Sequence, residues 1–361
     1  MPLRPPPWAF VPMPTLLSDY SFSNHSFFHL TSIITSAGQP HLTEQAYNTF
    51  MSQSESILNW LMDSDPAIRW QVQRDLLDQP ESVWEAERAK VATLGWGARY
   101  LALQEKDGKW GGGNYSPKYI STHYSLLTLR RIGLPPKHSQ ALKGCEQLIS
   151  SHMLFNLGEG FPTVDGKQPD ICVIGMKLSM FAYFRFEGER VHTIARYLLD
   201  NTMDDLGWNC RHWRGDTHSS FHSTLSVMEG LLEYQRAFPE SDLPLSAAQS
   251  AGREFLLQHR LYKSHHTGEI VKEAMTRFPF PPQWHYDFLK ALDYFQDANA
   301  PRDDRAQDAI DLLISRQNSD GAWPNYRGPS KHHFSMETPS KPSRWNTLRA
   351  LRVLKWWEKS D

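Results

Sequence analysis

Two stretches, QEKDGKW at residues 104–110 and QNSDGAW at residues 317–323, share the form Q-x-x-D-G-x-W. Looser copies stand between them as LGEGF (157–161) and MDDLGWNC (203–210). A motif that returns along one chain marks a supersecondary unit that buries its apolar face only against its neighbours. Each copy lies in a connection between helical patterns. Its tryptophan is therefore expected to stack on a neighbouring helix end and staple adjacent repeats.

Six segments align around these motifs: AIRWQVQRDLL, STHYSLLTLRRIG, DICVIGMKLSMFAYF, SFHSTLSVMEGLLEY, QWHYDFLKALDYF and PSRWNTLRALRVLKW. Each opens near a polar or reactive residue and continues with apolar residues at helical spacing. The leading residues are Arg69, His123, Cys172, His222, His285 and Arg344, which the alignment predicts to form a ring at one end of the fold. More charged, amphipathic helices are predicted near 53–63, 84–104, 138–152, 188–203, 245–261 and 303–317, as an outer layer requires. The expected fold is all-α: an (α/α)6 toroid, a double ring of six inner and six outer helices, over residues 45–361. Residues 1–44, rich in Pro, Ser and Phe, have no helical period and are expected to be a loosely ordered N-terminal extension. Met51, just ahead of a helical pattern, is the alternative natural start.

Connections from inner to outer helix are short, such as FEGER, whereas those from outer to inner are long: 104–119, 153–170, 203–219, 260–283 and 317–343. Long structured loops in a compact domain are commonly functional. The end that carries them also collects the inner-helix N-termini, whose free N–H groups and dipoles favour an anion. That mouth is the expected site.

Composition narrows the function. The net charge of the 361 residues is −2 with no long basic or acidic run, which excludes a nucleic-acid footprint. No apolar stretch approaches the roughly 20 residues of a membrane span. Three cysteines make no disulfide framework, so the expected location is the cytoplasm, with membrane association open to it.

The Q-x-x-D-G-x-W stretches resemble the QW motif of the squalene cyclase and prenyltransferase repeat superfamily, and the resemblance covers residues 45–361. It implies an enzyme that acts on an isoprenoid or other apolar small molecule. In squalene-hopene-type cyclases a D-x-D-D motif at the third inner helix protonates the alkene. Here that place reads Asp170, Cys172, Val173, and the acid is missing. Protein prenyltransferase β subunits are a nearer likeness, holding zinc with D-x-C at one inner helix and a histidine at the start of a following one. The stretch GWNCRHWRGDTHSSFHSTLSVMEGL places His222 there, with Gly230 displaced by one. The resemblance thus implies zinc at Asp170, Cys172 and His222, and Cys210, His212 or His218 can complete or replace that set. Three protein ligands leave the open position that a catalytic zinc requires. That family works with a helical-repeat partner subunit, and no partner protein is identifiable from this chain.

His123 and His285, at equivalent ring positions, are candidates for general acid or base beside Cys172 as a reactive thiolate. Arg69 and Arg344 are placed to clamp an anion or to pair with acids. Tyr119, Trp284, Tyr286 and Trp345 are placed to line an apolar cavity or to pack. Cys145 lies on an outer helix and reads as structural. The run KSHHTGE (263–269) reads as a solvated loop whose histidines keep a metal role open. The alternatives are a terpenoid cyclase with a non-standard acid, His123 or Asp216, and a non-catalytic toroid that binds a partner.

Overall fold

The computed structural model describes residues 55–329 and 331–359. The expectations for residues 1–44 and for a start at Met51 lie outside these. The described residues are mostly helical, with a single two-stranded ladder of β1 (Trp323–Pro324) and β2 (Pro342–Ser343). No helix among them is long and apolar enough to cross a membrane.

Two kinds of helix alternate. The first kind is largely buried, polar side chains included: α1 (Pro66–Gln71), which runs on into a π-helical turn over Val72–Leu76, α4 (Thr122–Ile132), α6 (Ile171–Tyr183), α8 (Phe221–Ala237), α10 (Phe288–Asp297) and α12 (Arg344–Lys359). The second kind buries one stripe: α2 (Glu81–Ala89), α3 (Gly95–Ala102), α5 (Ser139–Ile149), α7 (Glu189–Asp200), α9 (Leu245–Gln258) and α11 (Gln307–Ser315). A further helical segment covers 55–62. The buried helices pack on one another, α6 most extensively on α8, α10 on α12, and α12 on α1, so the last helix meets the first. Buried apolar side chains from Leu58 to Trp357 form one cluster.

Local chemistry sets the helix ends. Asp65 caps α1 by accepting from the Ala67 N–H at 2.9 Å ahead of Pro66, and its other oxygen accepts from Trp96 N at 2.7 Å, which ties α3 to α1. The helix expected over 84–104 is broken into α2 and α3. Gly95 turns at φ +62°, and a side chain there would collide with the Asp65 carboxylate.

The repeated tryptophans supply the third level of order. Trp110, Trp208 and Trp323 are fully buried. Each donates its indole N–H to the carbonyl ten residues earlier, at the end of the preceding striped helix: Tyr100 (2.7 Å), Leu198 (2.7 Å) and Leu313 (2.8 Å). Each backbone N–H also donates to a threonine Oγ1 on the next buried helix: Thr122 (3.2 Å), Thr224 (3.0 Å) and Thr347 (2.9 Å). In the two full motifs, Gln104 and Gln317 close the turn by donating to the carbonyls of Gly108 and Gly321, both at 2.9 Å. The tryptophan thus bridges two helices through hydrogen bonds as well as by stacking.

This staple corrects the expected register. His123 follows its threonine by one residue, whereas His222 precedes Thr224 by two and Arg344 precedes Thr347 by three. His285 lies ahead of its helix, which Asp287 caps by accepting from Lys290 N at 2.7 Å. The six leading residues therefore do not occupy one equivalent level.

Between the buried helices lies a charged network. Arg130 pairs with Glu233 (2.9 Å), Arg131 with Glu229 (2.9 Å), Lys290 with Glu229 (3.6 Å), and Arg352 with both Asp293 (2.6 Å) and Asp75 (3.3 Å). These pairs link α4, α8, α10, α12 and the π turn after α1 across a cavity of about 260 Å³. The paired cations hold the Glu229 carboxyl down at about 2 against the opposing effect of burial, Arg131 foremost.

Candidate active site at the helix N-termini

The Trp208 staple fixes the loop ahead of α8, and Cys210, two residues further on, is carried to the start of α6. There the Cys172 N–H points at Cys210 Sγ from 3.3 Å, and Ser223 Oγ lies 3.3 Å from the same sulfur. The two thiols act on each other. The interaction with Cys172 is the main cause lowering the Cys210 thiol to about 7, with Ser223 and the Cys172 amide adding to it. The same interaction, with burial and the nearby Asp170 charge, pushes Cys172 well up. With the Cys172 N–H and Ser223 Oγ both against its sulfur, Cys210 is the thiol favoured to ionise. Cys145, wholly buried in α5, is raised by desolvation. All three cysteines are free.

A wall of aromatic and imidazole rings leads away from the thiols, starting at Tyr115. Tyr115, within electrostatic reach of Cys172, Asp170 and Cys210, packs 5.2 Å from His123 and 5.6 Å from Tyr124. Tyr124 in turn packs 5.2 Å from Tyr119. The Tyr119 hydroxyl is 3.3 Å from His285 Nε2 and accepts from Trp284 Nε1 at 3.4 Å. Trp284 stacks on His285 at 3.9 Å and lies 5.3 Å from the ring of His222. Tyr119, Trp284, His285 and His222 are all half-buried, so this wall is reachable from solvent.

The histidines here are neutral. Burial pushes His123 down to about 3, and neither of its ring nitrogens has a hydrogen-bond partner among protein groups. His222 is lowered to about 4, first by burial and then by the charge of Lys290. Burial also lowers His285. At neutral pH none of these is a proton donor of the imidazolium kind.

The expected zinc triad does not assemble. His222 Nδ1 accepts from the Tyr286 N–H at 2.8 Å, so the neutral ring carries its proton on Nε2 and keeps no lone pair for a metal. Cys210 Sγ meets the Cys172 N–H and Ser223 Oγ, while His222 faces Trp284 and His285. Among the described residues, the three metal-ligating side chains whose ligand atoms lie within 4.8 Å of one another are His218, His259 and His265.

The remaining expected site residues are locally engaged. Arg69 pairs with Glu87 at 2.5 Å, and Arg344 donates to the Trp60 carbonyl at 3.1 Å with its guanidinium 4.6 Å over the Trp60 ring. Tyr286 is buried and donates to the Leu261 carbonyl, and Trp345 is buried and stacked on Phe280 at 4.0 Å, so both pack. Asp216 pairs with Arg211 at 3.4 Å, and His212 Nδ1 bonds to the Asn209 carbonyl at 3.1 Å. Of the expected lining residues, Tyr119 and Trp284 are the two on the wall.

Sequence reasoning missed Asp287, a buried carboxyl raised to about 6 by desolvation, whose Oδ1 accepts from Lys290 N and lies 3.7 Å from Arg349 while its Oδ2 has no partner. It gave the reactive thiolate to Cys172 and took Cys210 as a further metal ligand, whereas the Cys172 N–H and Ser223 Oγ both lie against the Cys210 sulfur. The signal for Cys210 was the motif itself: a residue two beyond a stapled tryptophan is delivered to a neighbouring helix start.

Comparison of the chain with protein-family models, with curated proteins and with solved structures finds no match.

Proposed function

We propose that the alternating helices close into an (α/α)6 toroid. We further propose that the chain is an enzyme of the prenyltransferase and terpenoid-cyclase type, acting on an isoprenoid or similar apolar molecule across the mouth. The toroid reading draws on the threefold tryptophan staple and on the packing of α12 against α1. The charged network filling the interior argues against an apolar chain threading the axis, so the substrate lies against Tyr119, Trp284 and His285.

One observation carries the reading: the Cys210 thiol, lowered to about 7 and held by the Cys172 N–H and Ser223, stands at one end of a run of rings that leads through Tyr115 and Tyr124 to the accessible Tyr119 and Trp284. A thiolate poised at neutral pH is a nucleophile. With His123 and His222 neutral, the mouth offers a nucleophile rather than a strong acid, which favours group transfer over protonation-initiated cyclisation.

The test is titration with farnesyl and geranylgeranyl diphosphate, read by tryptophan fluorescence and by product formation. Saturable quenching weakened by Trp284→Ala is expected, with the Cys210 sulfur forming a thioether to C1 as the C–O bond breaks and diphosphate leaves, one prenyl group per chain, and with Cys210→Ser abolishing that transfer while binding persists. No saturable binding of either compound, or transfer undiminished in Cys210→Ser, overturns the reading.

A further inference from the structure

We propose a divalent metal site of zinc type at His218, His259 and His265, separate from the cysteine centre and independent of the function proposed above. One ligating atom from each of the three lies within 4.8 Å of the others. The ring centroids are 5.4 Å apart for His218 and His259, 5.8 Å for His218 and His265, and 4.5 Å for His259 and His265.

The bonds around these rings set up the lone pairs a metal needs. His259 is buried and donates Nδ1–H to the Phe255 carbonyl at 2.8 Å, which leaves Nε2 as the unprotonated nitrogen. His218 Nδ1 faces the Asp205 carboxylate at 2.9 Å, and Asp205 is in turn held by the Ser219 N–H at 2.7 Å and the Ser219 hydroxyl. A carboxylate or carbonyl behind an imidazole is the usual outer partner of a metal-bound histidine, since it fixes tautomer and ring orientation. Asp205 also supplies the negative charge that a dication favours.

His265 completes the set from a turn closed on itself. Lys263 bridges Ile270, and Ser264 N–H donates to the Glu269 carbonyl at 2.8 Å. His265 Nδ1 stands 2.8 Å from His259 Nε2, where without metal one nitrogen donates to the other. Two nitrogens on a tetrahedral zinc at ~2.0–2.1 Å stand about 3.3 Å apart, so loading opens the pair by roughly half an ångström while the His265 proton moves to its exposed Nε2. The nearby cations do not repel the ion unopposed. Arg260 and Lys263 pair with Asp308 at 3.0 and 2.6 Å, and Arg305 pairs with Glu254 at 2.8 Å. The ion would bind the loop after α9 to the start of α8, with its fourth position left to water.

The experiment uses the full chain stripped with a chelator, then dialysed against zinc or titrated with cobalt(II). One equivalent of zinc is expected. It should be lost in His265→Ala, an exposed loop change that leaves the core intact, and kept in the Cys172→Ser, Cys210→Ser double variant. Cobalt should give visible d–d absorption without a sulfur-to-metal charge-transfer band. A wild type that retains no zinc, a His265→Ala variant that retains the full equivalent, or a charge-transfer band lost with the cysteines overturns the proposal.

Discussion

Gly175 and Gly230 meet where α6 crosses α8: a Cβ on Gly230 would stand 2.5 Å from the Gly175 carbonyl oxygen, and one on Gly175 would stand 2.7 Å from the Ser226 carbonyl oxygen. The obstacle is backbone on both sides, which cannot rotate away, so a methyl here forces two buried helices apart. Gly230→Ala is expected to cost about 1–3 kcal/mol, as over-packing does. Urea unfolding measures it. An unchanged midpoint would mean that the helices do not approach this closely.

The tryptophan staple makes a second prediction. Trp323→Phe keeps most of the ring but leaves the Leu313 carbonyl without its donor, at a cost of about 1–3 kcal/mol for an unpaired buried acceptor plus lost packing. Thr347→Val removes the other half of the bridge at Trp323 N. Because the two bonds serve one side chain, the double variant should lose less than the sum of the singles. Strict additivity in a denaturant double-mutant cycle would show that the two bonds are independent.

The helical class and the alternation of wholly buried and striped helices were legible because burial on all sides and burial on one side leave different apolar patterns. The motif that placed the repeats was legible for the same reason: Gln104, Gly108 and Trp110 are all used in the turn and staple. Levels along the helices were not legible. His123, His222 and Arg344 were aligned by where apolar runs begin, while Thr122, Thr224 and Thr347, inconspicuous in sequence, set the register. The state of each titratable group was hidden too. Whether Cys172 or Cys210 carries charge depends on which sulfur receives the hydrogen bonds, and that is a three-dimensional fact.

Glu229 holds Arg131 and Lys290 together between α4, α8 and α10. Glu229→Gln strands two nearly buried cations, at a cost of about 3–5 kcal/mol. Replacing Glu229 and Lys290 together by Gln and Met should recover part of that loss. A single Glu229→Gln variant as stable as wild type in urea would place the network in solvent.

Acid should unfold the protein partly through its histidines. His123 and His222 have folded values near 3 and 4 against an ordinary 6.5. Their stabilising effect is complete above pH 6.5 and is lost as pH falls through that window. Each adds a slope approaching 1.4 kcal/mol per pH unit there. Asp287, raised to about 6 from 3.8, works the other way, gaining stability as pH falls below 6. The net slope between about pH 6 and pH 4 is therefore downward with acid, and urea midpoints across that range should flatten in His123→Phe. Midpoints rising on acidification would contradict the neutral, buried histidines.

The measurement closest to the central claim is cysteine-resolved alkylation of the folded protein from pH 5 to 10, read by mass spectrometry of each of the three cysteine peptides. The account predicts that Cys210 reacts first, with a midpoint near 7, that Ser223→Ala moves this midpoint upward, and that Cys172 and Cys145 stay slow. A Cys172 that reacts at the lower pH, or a Cys210 no faster than the buried Cys145, would contradict it.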